Sequence, residues 1–265
     1  MRVIGFCGMD DSVSPDLLAL VSSRYPWVEW GVLFRNDLEG TPRYPSRPWV
    51  ERLSSLATFS EDRETVSIRL AGHLCGNRCQ EVLDGDFSFI QELYSLGYRR
   101  VQVNATAANS VTVDPERINK YVQNIFLCMR SVSKMEFIIQ CNEETKPIYT
   151  QLMADPTPNM SVLYDASCGK GVRVSTFPSP MLHPTIRCGY AGGIGPDSIA
   201  EILTGVRAAT EGVPAYNKVW VDMESSLRTI VVEKNKVDQS ETRRDVFSID
   251  KVFACILIAE QFGMK

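Results

Sequence analysis

Three stretches of this 265-residue chain carry groups that could do chemistry. In 189–203, GYAGGIGPDSIAEIL, an apolar run meets Gly192, Gly193 and Gly195, then Pro196, and then Ile199, Ile202 and Leu203 at helical spacing. Glycines there add no packing and cost entropy on folding. Pro196 suits a first helical turn, which does not need its missing N–H. A strand that turns on bare backbone into a helix N-terminus fits an anion, usually a phosphate, held by N–H groups and the positive end of the helix dipole. A plain strand-to-helix turn fits the same residues.

The second stretch is FCGMDD, with Cys7 at its centre. A thiol is a base only when its pKa is lowered. No cation lies nearby in sequence, and Asp10 and Asp11 oppose ionisation; a buried, inert thiol is the ordinary alternative. The third is Asp165, after SVLY and before ASCGKG. A partly buried carboxyl there could hold a proton and act as an acid, or simply form a turn. Gly169, Lys170 and Gly171 make a loop able to approach an anionic substrate. His73, Cys75 and Cys79, in HLCGNRC, are soft ligands that need a fourth to hold zinc. The paired CxxC spacing of structural sites is absent, so no metal site is expected. Cys128, Cys141, Cys188 and Cys255 sit in apolar runs and read as small core residues.

Positioning these groups requires a frame, and the chain counts one out. Short β-type runs occur at 2–8, 28–34, 66–72, 99–105, 135–141, 161–167, 186–192 and 218–224. Amphipathic stretches at 15–23, 48–57, 86–96, 114–132 and 248–262 lie between or after them. This alternation predicts a (β/α)8 TIM barrel, a single domain over 1–265 with a polar insertion at about 232–246. An open doubly wound sheet would put the glycine turn after the first strand; here it follows the seventh, a common phosphate position in barrels. Barrel chemistry sits at the C-terminal strand ends. The residues there include Cys7, Arg35, His73, Gln102, Asn104, Gln140, Asn142, Asp165, Gly192, Gly193, Asp222 and Glu224.

Composition narrows the partners. The chain is 44% hydrophobic and 23% charged, with formal net charge −4 and a pI of about 5.4. There is no basic footprint for nucleic acid and no apolar run of the ~20 residues that cross a bilayer. The start, MRVIGFCGMDD, turns acidic too early for a signal peptide. A soluble, cytoplasmic protein without a membrane partner is expected; its oligomeric state is not legible.

The motifs, in order, resemble those of phosphoribosylanthranilate isomerase, a (β/α)8 enzyme of tryptophan biosynthesis. They are Cys7-Gly8 after the first strand, Thr41-Pro42-Arg43-Tyr44-Pro45 after the second and Val101-Gln102-Val103-Asn104-Ala105 on the fourth. Asp165 with its glycine loop follows the sixth, Ala191-Gly192-Gly193 the seventh, and the eighth reads Val221-Asp222-Met223-Glu224-Ser225-Ser226. The resemblance implies a cofactor-free Amadori rearrangement, an intramolecular oxidoreduction in which a phosphorylated aldose amine becomes a ketose amine. It implies Asp165 as acid, Cys7 as base and Arg43 as partner of a substrate carboxylate. Gly192, Gly193, Ser225 and Ser226 would take the phosphate. His73, Gln102 and Asn104, from their places at the strand ends, are expected at the substrate. The chain departs from the family pattern at Asn104-Ala105, where the family has His-Gly, at Leu227, where it has glycine, and at His73-Leu74-Cys75-Gly76. These departures leave room for a different phosphosugar, for chemistry based on His73, or for binding without turnover.

Overall fold

A computed structural model describes residues 1–265 apart from 2, 58–66, 174, 182, 184, 213–218 and 235–239. Parallel strands β1 (Val3–Cys7), β2 (Val28–Phe34), β3 (Arg69–Leu74), β4 (Arg100–Val103), β5 (Glu136–Cys141), β6 (Met160–Tyr164), β7 (Cys188–Tyr190) and β8 (Val219–Met223) close into a barrel, with β8 back against β1. The expected (β/α)8 class is the observed one.

Strand alternation sorts the residues. One set, with Phe6, Trp30, Leu70, Val101, Phe137 and Val221, joins the helices in the main apolar core. The other set faces the barrel axis. A Cβ on Gly31 would strike the side chains of Cys7 and His73, and one on Gly5 would strike that of Asp222, so these residues share the interior. Toward the N-terminal end the interior holds Arg100, paired with Glu29 and Glu136 and lying 4.2 Å over the Trp220 ring. That end of a barrel reads as stability. The C-terminal end carries the polar groups described below.

Helices α1 (Pro15–Arg24) and α2 (Arg47–Leu56) follow their strands as expected, each with a proline in its first turn. After β3 the chain makes two helices, α3 (Gly76–Asp84) and α4 (Ser88–Ser95), where only the second was expected. Then come α5 (Ile118–Ser131), α6 (Lys146–Ala154), α7 (Ile199–Ala209) and α8 (Ile249–Gln261), the last capped by the Ser248 hydroxyl as anticipated. Between β6 and β7 no helix occurs among the described residues. Phe177 covers the barrel there instead: its ring meets Tyr190 edge-on and packs on Gly205 of α7, while the Tyr190 hydroxyl donates to Pro178 O at 2.7 Å.

The polar stretch at about 232–246, read as a solvated insertion, belongs to an antiparallel hairpin, β9 (Arg228–Lys234) with β10 (Glu241–Phe247); its 235–239 lie outside the described residues. Buried Arg228 anchors the base of the hairpin, donating to Gly8 O at 2.6 Å and pairing with Asp10 at 2.8 Å and Asp245 at 2.9 Å. Asp10 and Asp11 also hold the loop after β2, accepting from Arg43 N at 2.6 Å and Ser46 N at 2.8 Å. No described helix is long and apolar enough to cross a membrane.

Candidate active site

A cleft of about 580 Å³, solvent-facing mouth included, opens at the C-terminal end of the barrel. Cys7, His73, Gln102, Asn104, Asp165, Gly192, Gly193, Ser225 and Ser226 all line it, with Gln140, Asp222 and Glu224. The sequence-derived set therefore converges, with one exception. Arg43 is not among the lining residues; its Nη1 donates to Glu224 at 2.7 Å and lies 3.4 Å from the Ser225 hydroxyl, at the rim.

Strand closure builds the centre of the cleft. The Cys7 thiol donates to Asp222 Oδ1 at 2.7 Å, and His73 Nε2 stands 3.8 Å from Cys7 Sγ and 3.8 Å from Asp222 Oδ2. All three residues are buried. Burial, with the Asp222 carboxylate next to it, pushes the Cys7 thiol up rather than down. Burial also raises Asp222 to about 7 and lowers His73 to about 3. Cys7 is thus a thiol with a carboxyl acceptor beside it. A free thiolate would need a neighbouring cation in place of these carboxylates. His73 is a neutral imidazole, and at so low a pKa it is a poor general base.

Asp165, at the end of β6, accepts from Ser167 N at 3.1 Å and Ser167 Oγ at 2.6 Å on one oxygen and from Gly169 N at 2.7 Å on the other. The carboxyl folds the loop that follows, and that loop crosses the mouth of the cleft. Gly169 lies against Asn109 of the loop after β4, Gly171 against Ser225, and the Arg173 backbone against Gly193. Gly169 and Gly171 both take positive φ, at 81° and 65°, which this crossing requires.

At the anion turn, Gly192 and Gly193 have φ of 112° and 62°. Ser198, just before α7, ties the turn by accepting from Gly195 N at 3.0 Å and donating to Gly193 O at 2.8 Å. The N–H groups of Gly192, Gly193 and Ile194 meet no acceptor among the described residues. Ser225 and Ser226 open a short 3-10 helix on the facing loop.

The polar partners deeper in are amides. Gln102 donates to Asn104 Oδ1 at 2.6 Å, and the Oε1 atoms of buried Gln102 and Gln140 meet no partner among the described residues. Cys75 and Cys79 do not join His73. Cys75 turns to Asn109 at 3.4 Å, and Cys79 is packed in the main core. The zinc cluster considered from HLCGNRC is therefore not assembled. Instead, Cys7, His73 and Asp222 place their donor atoms within 4.8 Å of one another, as no other such group of three does among the described residues.

Sequence reasoning missed Gly5 and Gly31, whose bare Cα positions make room for this cluster. Their signal was a glycine at an inward position inside an otherwise bulky strand.

No protein-family model and no curated protein matches the chain by sequence. Among solved structures it is similar to monomers generated from the dimeric phosphoribosylanthranilate isomerase of Thermotoga maritima. The two are 14% identical, with a TM-score of 0.51 over 98% of this chain and 99% of that one. A second structure of the Thermotoga maritima enzyme gives 12% identity and a TM-score of 0.51 over 98% and 100%. The chain shares the (β/α)8 barrel fold of these enzymes. This likeness is of backbone; the chemistry rests on the side chains in the cleft.

Proposed function

We propose that this chain isomerises a phosphorylated sugar amine from aldose to ketose. The observation that carries the reading is that Cys7, at the end of β1, and Asp165, at the end of β6, line one cleft together with the Gly192–Gly193 turn. The reaction needs an acid at the ring oxygen, a base at C2 and an anchor for the phosphate. Asp165 supplies the acid once one of its oxygens exchanges a hydrogen bond from Ser167 or Gly169 for a proton. Cys7 takes the C2 proton as its own thiol proton passes to Asp222, along the 2.7 Å hydrogen bond between them. Gly192, Gly193, Ile194, Ser225 and Ser226 hold the phosphate. Gln102, Gln140 and Asn104 face the sugar hydroxyls. Arg43, released from Glu224, meets a substrate carboxylate. No cofactor enters this scheme.

The experiment is turnover of phosphoribosylanthranilate by the pure, chelator-treated protein, followed by loss of its fluorescence. A second reading is that the barrel binds a phosphosugar without this chemistry. It is favoured by Asp165, both of whose oxygens already accept hydrogen bonds from Ser167 and Gly169 of its own loop, the work of a loop-folding carboxylate. Thermal stabilisation by ribose 5-phosphate with no turnover of the aminosugar would select it, because a ligand that binds the native state raises its stability.

A further inference from the structure

The Cys7, His73 and Asp222 cluster combines a thiol, an imidazole and a carboxyl, contributed by β1, β3 and β8 and brought together only by barrel closure. Such a donor set is that of a thiophilic divalent cation, with neutral His and anionic Cys and Asp as ligands. Bonds of about 2.0–2.3 Å to a tetrahedral metal put neighbouring ligand atoms roughly 3.5 Å apart. His73 Nε2 already stands 3.8 Å from both Cys7 Sγ and Asp222 Oδ2. The Cys7–Asp222 edge is shorter, 2.7 Å, because a proton bridges it. A cation that replaces this proton spreads the edge to its own ligand spacing.

Two further observations bear on the site. Gly5 and Gly31 let the three side chains converge: a Cβ at either position would come within 2.3 Å of Asp222 Oδ1 or Cys7 Sγ. The buried Gln102 Oε1, on the residue paired with His73 between β3 and β4, is an acceptor without a partner among the described residues. It is suited to a water on the metal's open position, as is the Gln140 Oε1 in the same cleft.

We infer that Cys7, His73 and Asp222 form a binding site for a thiophilic divalent cation of the zinc class, with its fourth position open to the cleft. Binding releases the Cys7 proton to solvent and makes the sulfur a metal ligand. The metal and the isomerisation therefore compete for Cys7, and zinc inhibits the reaction proposed above. The site itself stands on its own geometry; only the inhibition rests on that reading.

Cobalt(II) is the probe. Reduced, chelator-treated protein titrated with Co2+ gains a thiolate-to-cobalt charge-transfer band and the visible bands of four-coordinate cobalt, saturating at one equivalent, and Zn2+ bleaches them. Cys7→Ser removes the charge-transfer band, His73→Ala weakens cobalt binding at least tenfold, and Cys168→Ser, at a cysteine outside the cluster, leaves both unchanged. Circular dichroism of each variant establishes that it is folded, and Cys7→Ala provides a second test at that position. A wild-type titration without the charge-transfer band, or a band that survives in Cys7→Ser, overturns the site. Cobalt binding without turnover by the metal-free protein sinks the isomerase reading and leaves the site intact. Turnover with no cobalt signature does the reverse.

Discussion

The thiol of Cys7, on the first strand, donates to the carboxyl of Asp222, on the eighth, across 2.7 Å. The contact exists because the barrel closes: β1 pairs with β8 in a register that sets Gly5 opposite Asp222. Gly5 has no side chain to block the approach. If Asp222 receives the proton that Cys7 passes on, Asp222→Asn lowers kcat by roughly 10²–10⁴, the usual range for losing a positioned proton acceptor. Metal-free protein, with circular dichroism as the fold control, is the material for that assay. Wild-type kcat in the variant would remove Asp222 from the proton path.

Gly31→Ala tests the space around the cluster. Its Cβ would lie 2.3 Å from Cys7 Sγ and 2.7 Å from His73 Nε2. Overpacking of this kind costs about 1–3 kcal/mol, and here it also displaces the base. The variant is expected to melt lower and to lose turnover. Unchanged melting and kcat would mean that the interior is looser than these distances imply.

The anion turn is tested by Gly193→Ala. A Cβ there would sit 2.5 Å from the Arg173 backbone, at a φ of 62° that L side chains rarely adopt. Affinity for ribose 5-phosphate, read by calorimetry, should fall at least tenfold. Gly212→Ala, at φ 73° with open space around it, carries only the backbone cost and should bind like wild type. Equal affinities for all three proteins would place the phosphate elsewhere.

Arg100 is a stability residue. It balances Glu29 and Glu136 inside the barrel, and its removal leaves buried Glu29 without its hydrogen-bonded cation, while Glu136 keeps Arg187 at 2.9 Å. Arg100→Met is expected to cost about 3–5 kcal/mol, as breaking one side of a buried pair does. Urea unfolding measures it, and a loss below about 1 kcal/mol would show the carboxylates relaxing to water or taking up protons.

Asp10 gives the fold an acid-side dependence. Burial opposes its charge, but the Ser12 hydroxyl, the Arg43 and Ser12 N–H groups and the Arg228 charge together hold its carboxyl below its ordinary value. A depressed carboxyl contributes stability that is present above about pH 3.9 and lost as pH falls through the folded pKa. Asp10→Asn should therefore be less stable than the parent at pH 7, with the gap closing below about pH 4. A gap independent of pH would detach this stability from the Asp10 charge.

The sequence showed the barrel because strand ends and helix starts repeat, and because Pro15 and Ser248 mark helix entrances by local chemistry. It showed most of the cleft for the same reason: the last residues of parallel strands face one end. Strand limits were weaker. β3 runs Arg69–Leu74 instead of 66–72, because both of its faces are buried and no polar alternation marks its ends. β6 stops at Tyr164, since the Asp165 carboxyl binds its own loop. Helix α3 starts within HLCGNRC and runs on past it, with Cys79, Val82 and Leu83 spaced for a core face and not for a metal. The partners of His73 were not legible. Cys7 lies 66 residues from it and 215 from Asp222, and only closure of the sheet brings such distant residues together. The tie of Arg43 to Glu224 likewise depends on barrel closure, and its tie to Asp245 on the hairpin folding back onto the loop after β1.

Fluorescence-monitored turnover of phosphoribosylanthranilate by wild type and by Asp165→Asn, both metal-free, tests the central claim most directly. The account predicts turnover by wild type and a drop of at least a hundredfold in kcat for the variant. Absence of turnover in wild type, or equal rates in the two proteins, would contradict it.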